Sequence, residues 1–470
     1  MSEPTGESVG GLLDRRHRLP TTGLLLLVTL IAFEAMAVGT AMPTVVAELD
    51  GLAWYGWSFS AYLVASVVGM VVGGDVGDRQ GPRTPLVLGV GLFGAGLLAA
   101  GLAGSMAPFV AARALQGLGG GLVAVSLYVV AGQAYEAQLR PRLFGAISAA
   151  WVLPALVGPL VAGLVTTHAG WRWVFLGLLP LAALSPVLVL PALRARQPAQ
   201  PAARSRGRLA RPVWALVAGL GTAALQVAGQ RLDRLSPALA AVGLVALAAG
   251  LRRLLPRGVV RVRAGLPAVI ASRGLLAGAF FGMDVLLPLA LTQLHGAGPA
   301  AAGFPLTAGA FGWAAAAHLQ GRYPGVSRAR LLRAGFVLLA VGVAGSALVA
   351  HPGLGGWAAY PAWAVAGLGM GLGMPSVGVL LLEQSPEHRR GADSSAFQIA
   401  DVTAAALCVG LVGVLVAAVA AGLLPLAGAV VTAAVVLAAL AVLGAIVAPR
   451  AGVPAGPAGA GAPATTLATS

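Results

Sequence analysis

No lysine occurs anywhere in the 470-residue chain, so all 30 basic residues are arginine, and acids number only 15. Without lysine there is no phosphate-binding loop of the kind that holds a nucleotide. No metal-ligand spacing and no nucleophile–base set takes its place. Neither an ATP-driven pump nor an enzyme is expected, and no cofactor or metal. The one cysteine, Cys408, excludes an intramolecular disulfide and reads as a small buried hydrophobe. Charge itself is scarce, at 10% of residues where a soluble domain carries about 25%. The net charge of +15 does not point to nucleic acid, because the arginines lie in short clusters and form no continuous basic face.

Apolar sequence fills the space that charge leaves. The chain is 58% hydrophobic with a mean hydropathy of +0.88, which places it in the membrane class. The abundance of alanine, glycine, proline and arginine suggests a GC-rich bacterial genome, and hence the bacterial cytoplasmic (inner) membrane. Because a bilayer core takes about 20 apolar residues to cross, the breaks between runs predict helices. They fall at about 22–45, 55–77, 84–105, 108–131, 143–167 and 172–194, then 212–230 and 236–256. Six more follow at about 273–294, 299–320, 329–350, 355–383, 392–420 and 424–448. The expected fold is an all-α integral membrane protein of 14 spans, grouped six, two, six.

Arginine placement tests this count independently. Arg15, Arg16, Arg18, Arg79, Arg83, Arg140, Arg142, the clusters from Arg194 to Arg211, Arg252 to Arg273 and Arg322 to Arg333, and Arg389, Arg390 and Arg450 share one side, taken as cytoplasmic with both termini. Only Arg172, Arg231 and Arg234 fall at turns on the other side, with Arg113 inside the fourth span near its outer end. The expected organisation is a cytoplasmic segment (1–20), a six-helix bundle (21–194), a basic linker (195–211), two additional helices (212–256), a basic loop (257–272), a second six-helix bundle (273–448) and a disordered tail (449–470).

Two acids stand alone in apolar runs, Glu34 and Asp284, 250 positions apart. The same offset lays Gly117-Leu118-Gly119-Gly120-Gly121 on Gly367-Leu368-Gly369-Met370-Gly371, and Arg140 on Arg390, so the halves read as a duplication. A charge at bilayer depth is disfavoured by about 2.5–3.5 kcal/mol, which makes each acid a functional candidate. Arg113 falls on the uncharged Trp363, so the acids are symmetric and their partners are not.

Several stretches resemble the major facilitator superfamily. Gly74-Asp75-Val76-Gly77-Asp78-Arg79-Gln80-Gly81-Pro82-Arg83 is similar to its loop motif G-x-L-A-D-R-x-G-R-R/K; Gly74, Asp75, Asp78, Arg79, Gly81 and Arg83 are read as a conformational latch. Arg113 with Gln116 and the glycines after it resembles the superfamily's fourth-helix motif, whose arginine faces the central cavity near the first-helix acid. Pro154, Gly158, Pro159 and Gly163 resemble the helix-packing motif G-x-x-x-G-P-x-x-G-G associated with exporters. Trp171-Arg172-Trp173-Val174-Phe175 reads as an aromatic belt and also recurs in the fourteen-helix drug exporters. The six, two, six grouping is similar to the fourteen-helix drug:proton antiporter branch, with the major facilitator fold.

The resemblance implies a proton-coupled secondary transporter exporting hydrophobic or cationic drugs or toxic compounds by alternating access, in which Glu34, Arg113 and Asp284 couple the proton. Its partners are small-molecule substrate, protons and membrane lipid, not nucleic acid, and a monomer is expected. Tyr62, Gln116, Trp151, Phe281, Trp313, Gln398 and Asp401 are candidate cavity residues, with Trp57, Phe280 and Phe397 as further aromatics. Asp401 is equally readable as a helix-end cap. Alternatives are an exporter or importer of one metabolite, lipid or antibiotic, and a transporter-like sensor or scaffold that does not cycle.

Overall fold

A computed structural model describes residues 11–14, 17–136, 139–194, 210–231, 234–322, 325–386 and 389–453. The N-terminal ten residues, most of the basic linker and most of the C-terminal tail, on which some of the expectations fall, lie outside the described residues, as do Arg15 and Arg16. The described chain is helical. α1 (Arg18–Glu48), α2 (Tyr55–Gln80), α3 (Arg83–Gly101), α4 (Met106–Ala134), α5 (Arg140–His168), α6 (Arg172–Leu176) and α7 (Leu179–Arg194) form the first half. α8 (Ala210–Gln230) and α9 (Ser236–Leu254) follow. α10 (Leu266–His295), α11 (Pro299–Arg322), α12 (Arg328–Gly345), α13 (Ala359–Gln384), α14 (Arg390–Ala420) and α15 (Leu426–Ala451) form the second half. Among the described residues, 12 helical stretches are long and apolar enough to cross a membrane, and Leu153–His168 within α5 is a shorter apolar stretch.

Helices are the form these runs must take, because in lipid every backbone N–H and C=O needs a partner within the segment. Glycine at positive φ turns the chain where two runs meet: Gly81 (φ 78) between α2 and α3, and Gly296 (φ 64) after α10. The predicted sixth span is broken, since the chain leaves α6 at Gly177 and re-enters a helix at Leu179. The predicted start of the ninth span also moves. α10 begins at Leu266 after Gly265 (φ 87), with proline in its first turn, so Arg273, expected as the first residue of the helix, lies two turns inside it.

The packing repeats between halves. α1 lies on α5 and α7, while α4 lies between α2 and α3; correspondingly α10 lies on α14 and α15, and α13 between α11 and α12. Between the halves, α5 packs on α11 and α2 on α14, while α1 also touches α10 and α11. α8 and α9 pair with each other, and α8 rests against both α2 and α14.

One end of the molecule carries the turns after α1, α5, α10 and α14, and is termed here the Gly170 face; the other carries the turns after α2 and α4, the Gly81 face. Close contacts between halves occur toward the Gly170 face. The Tyr55 hydroxyl donates to the Val285 carbonyl of α10, Gly56 lies against the backbone of Gly413, and Gly163 packs on Ala300. A side chain at Gly56 has no room, so α2 and α14 touch there only because both residues are glycine. Gly56→Val is therefore expected to lower the thermal unfolding midpoint in detergent, consistent with an overpacking cost of about 1–3 kcal/mol. Gly91→Val, where an added methyl meets open space, serves as the control and is expected to change it little.

Candidate functional site

Glu34 lies midway along α1, 1% exposed, and Arg113 lies two turns into α4, 3% exposed. Arg113 is not an interfacial residue reaching for water. Its Nη1 donates to Glu34 Oε1 and to Gln116 Oε1, and its Nε donates to the Ser58 carbonyl of α2 at 2.9 Å. The Tyr62 ring covers the guanidinium, 4.7 Å from its centre. A buried arginine needs such a set, because five donors without acceptors in an apolar interior are costly. Three helices thus meet on one cation. Two polar atoms of the cluster stay unpartnered, Glu34 Oε2 and Gln116 Nε2, and both are buried. They are acceptor and donor capacity held ready at the centre of the first half.

Asp284 occupies the matching place in α10, and no basic side chain pairs with it among the described residues. The indole N–H of Trp363 lies toward the Asp284 carboxylate, short of full hydrogen-bond geometry. Pro288, one turn on, has no N–H to give the Asp284 carbonyl, which frees a backbone acceptor beside the side chain. Next to this acid lies an aromatic group centred on Phe280. It stacks on Trp363 (4.8 Å between centroids) and meets Phe281 and Trp313 edge-on at 5.4 and 5.7 Å. Each aromatic pair of this kind contributes about 0.5–1.5 kcal/mol beyond area burial.

The other candidates disperse. Asp401 lies three turns inside α14, not at its end, and takes Arg273 of α10 in a two-pronged pair at 2.8 and 3.0 Å, with Arg273 also 4.9 Å from the Phe397 ring centre. The sequence offers no sign of this pairing, because Arg273 ends a run of arginines on the cytoplasmic side and reads as the first residue of its helix. Trp57 donates to Gln230 of α8 at 2.7 Å and so belongs to the contact between α2 and α8. Gln398 is half-buried, and Trp151 is exposed on α5. In the loop motif Asp75 and Arg79 pair within α2 at 2.8 Å, Arg79 remains 47% exposed, Gly74 has open space around it, and Arg83 is exposed at the start of α3. The side chain of Asp78 is outside the described residues. In the packing motif of α5, Pro154, Gly158 and Pro159 are buried and Gly163 meets α11. Trp171 is not part of a lipid-facing belt. It is 1% exposed, packed edge-on against Phe109 and Phe175, and donates to Glu48 at 2.7 Å; the exposed tryptophan of that stretch is Trp173.

Apolar helices long enough to span a membrane, packed around a few buried charges as two similarly arranged halves, define a multi-pass membrane protein. Residues 24–409 match the family model described as Major Facilitator Superfamily, and the chain belongs to that superfamily. It is 31% identical over 186 residues to "Multidrug transporter protein MdtP" of Bacillus subtilis (strain 168), covering 40% of this chain and 34% of that protein. It is 33% identical over 167 residues to "Acurin A biosynthesis cluster MFS-type transporter" of Aspergillus aculeatus, covering 36% and 30%. The chain thus spans about a third of the length of these curated relatives. A POT family peptide transporter structure superposes with TM-score 0.67 at 17% identity, covering 91% of this chain and 97% of that one. A D-xylose–proton symporter structure gives 0.62 at 18%, covering 92% and 99%. At these identities the structures show a shared fold.

Breaking a buried ion pair from one side leaves an uncompensated charge, at about 3–5 kcal/mol. Arg113→Ala is expected to lower thermal stability in detergent markedly, and the double variant Arg113→Ala with Glu34→Gln is expected to recover a large part of the loss, as read by intrinsic fluorescence on heating.

Proposed function

We propose that the protein is a proton-coupled secondary transporter of the fourteen-helix drug:proton antiporter branch, exporting hydrophobic or cationic compounds across the bacterial cytoplasmic membrane by alternating access. The observation that carries this reading is the unequal setting of the two matched acids. Glu34 is neutralised by Arg113, and Asp284 faces aromatic rings with no cation of its own. Protonating Glu34 removes the charge Arg113 binds, and so loosens the joint among α1, α4 and α2. Asp284 with Phe280, Phe281, Trp313 and Trp363 provides a negative, aromatic wall suited to a flat or cationic cargo.

In this reading the Gly81 face is cytoplasmic, as are both termini, and the fourteen spans comprise the 12 apolar stretches together with α5 and α11. The two bundles take residues 21–194 and 273–448, with the hairpin of 212–256 between them. The inter-bundle contacts of Tyr55, Gly56 and Gly163 then close the outer side, and Asp75 and Arg79, paired within their own helix, are the latch in its released form. The name of the Bacillus relative supports multidrug export. That of the Aspergillus relative supports the second reading, export of one specific metabolite.

Two measurements decide. In proteoliposomes with an imposed proton gradient, Glu34→Gln is expected to abolish gradient-driven accumulation, and Asp284→Asn to weaken it chiefly for cationic cargo; unchanged transport in both variants would overturn the assignment. Expression in a drug-sensitive bacterial host is expected to raise tolerance to several unrelated lipophilic compounds, whereas tolerance to a single compound would favour the second reading.

A further inference from the structure

α8 and α9 have no task in the transport cycle as described so far. A helix pair added at the edge of a membrane bundle needs only an apolar surface, and much of α8 has one: Val213, Leu216 and Leu220 are exposed. Its opposite side differs. Gly219 lets Val64 and Val68 of α2 approach, and Gly229 does the same for Val414 of α14. Between them stands Gln226, 5% exposed. Gln226 Oε1 accepts from Ser60 Oγ of α2 at 2.8 Å, and its Nε2 donates to the Ala406 carbonyl of α14 at 3.4 Å. Its amide lies where any side chain at Gly410 would stand. One turn on, Gln230 accepts from the Trp57 indole at 2.7 Å.

A side-chain amide in an apolar surrounding is disfavoured unless bonded, so α8 is held in one register, at the point where its amide reaches both partners. Those partners belong to different bundles, and both sit on the half of the seam nearer the Gly170 face, where Gly56 touches Gly413. We propose that the inserted hairpin is a clamp on this gate. Gln226 ties α2 to α14 and biases the molecule toward the state closed on the Gly170 face, and opening that face requires one of its two bonds to break. The bonds are built to part. The Ser60 hydroxyl can turn to a carbonyl of its own helix, and the Ala406 carbonyl already has an in-helix donor one turn on, so no buried group is left stranded in the open state. The same property allows Gln226→Ala to fold.

The inference uses the alternating-access reading for its consequence but not for its measurement, which needs neither cargo nor a proton gradient. Nitroxide labels introduced by Gly104→Cys and Leu423→Cys, one on each bundle at the exposed Gly170 face, report the opening of that face in nanodiscs when carried on a Cys408→Ala background. The labelled parent is expected to show mainly the short distance by pulsed electron resonance. Gln226→Ala should raise the ratio of long to short distances by roughly threefold, the scale of one membrane helix–helix hydrogen bond. Ser60→Ala, which cuts the tie to α2 and leaves the amide in place, should give a comparable rise. Leu220→Ala, on the lipid side of α8, should give none. A distance distribution unchanged by both Gln226→Ala and Ser60→Ala overturns the clamp, as does an equal change in Leu220→Ala. If Gln226→Ala fails to fold, Ser60→Ala alone decides. Loss of transport in the variants of Glu34 and Asp284 bears on the transport reading and leaves this result standing.

Discussion

A guanidinium buried in the first half of the molecule sets the terms for much of what surrounds it. Arg113 has five donors and no acceptor, and at 3% exposure it cannot reach water. It is satisfied by a carboxylate from α1, a backbone carbonyl from α2, an amide from its own helix and a tyrosine face above. The carboxylate is tolerated for the same reason in reverse. Neither charge is acceptable in lipid alone, and together they hold three helices at fixed separation. Any event that neutralises one of them unbalances the other, so the pair joins the electrostatics of three helices in one place.

The second half has the same helix packing and a different solution. Where α4 carries Arg113, α13 carries Trp363, and the acid of α10 is left facing rings. Duplication supplied the frame, and the divergence of one position separated a closed charge pair from an open one. The ion pair that the second half does contain, Arg273 with Asp401, joins α10 to α14 nearer the Gly81 face, and at the matching positions of the first half stand Gly23 and Trp151. Charge has therefore been redistributed along the bundle without altering which helix lies on which.

Between the halves, contact depends on small residues. Gly56 and Gly413, and Gly163 and Ala300, bring backbones together without interlocking side chains, a form of packing that can separate at low cost. Among the described residues, the polar links that cross the same seam include Tyr55 to Val285 and the amide of Gln226. Within each half the packing is denser and pinned by buried polar groups. The two halves thus meet chiefly through small residues, while each is held internally by buried polar groups.

The amino-acid sequence alone determined the membrane class, the helical form and the duplication, because bilayer thickness imposes a length on apolar runs and because an unpaired backbone cannot enter lipid. It also determined that Glu34, Asp284 and Arg113 are special, since isolated charges in such runs are rare for an energetic reason. Tertiary structure decided what those charges meet. The Ser58 carbonyl leaves no mark in sequence, because every residue has one. Arg273 reads as the first residue of a helix and lies two turns inside one, Trp171 reads as a belt residue but packs against α4, and nothing in the sequence sets Gln226 apart from the other glutamines. In each case the missing information was which surfaces face one another. Hydropathy fixes how far a helix extends across the membrane and says nothing of how it is turned about its own axis; only packing against neighbours settles that.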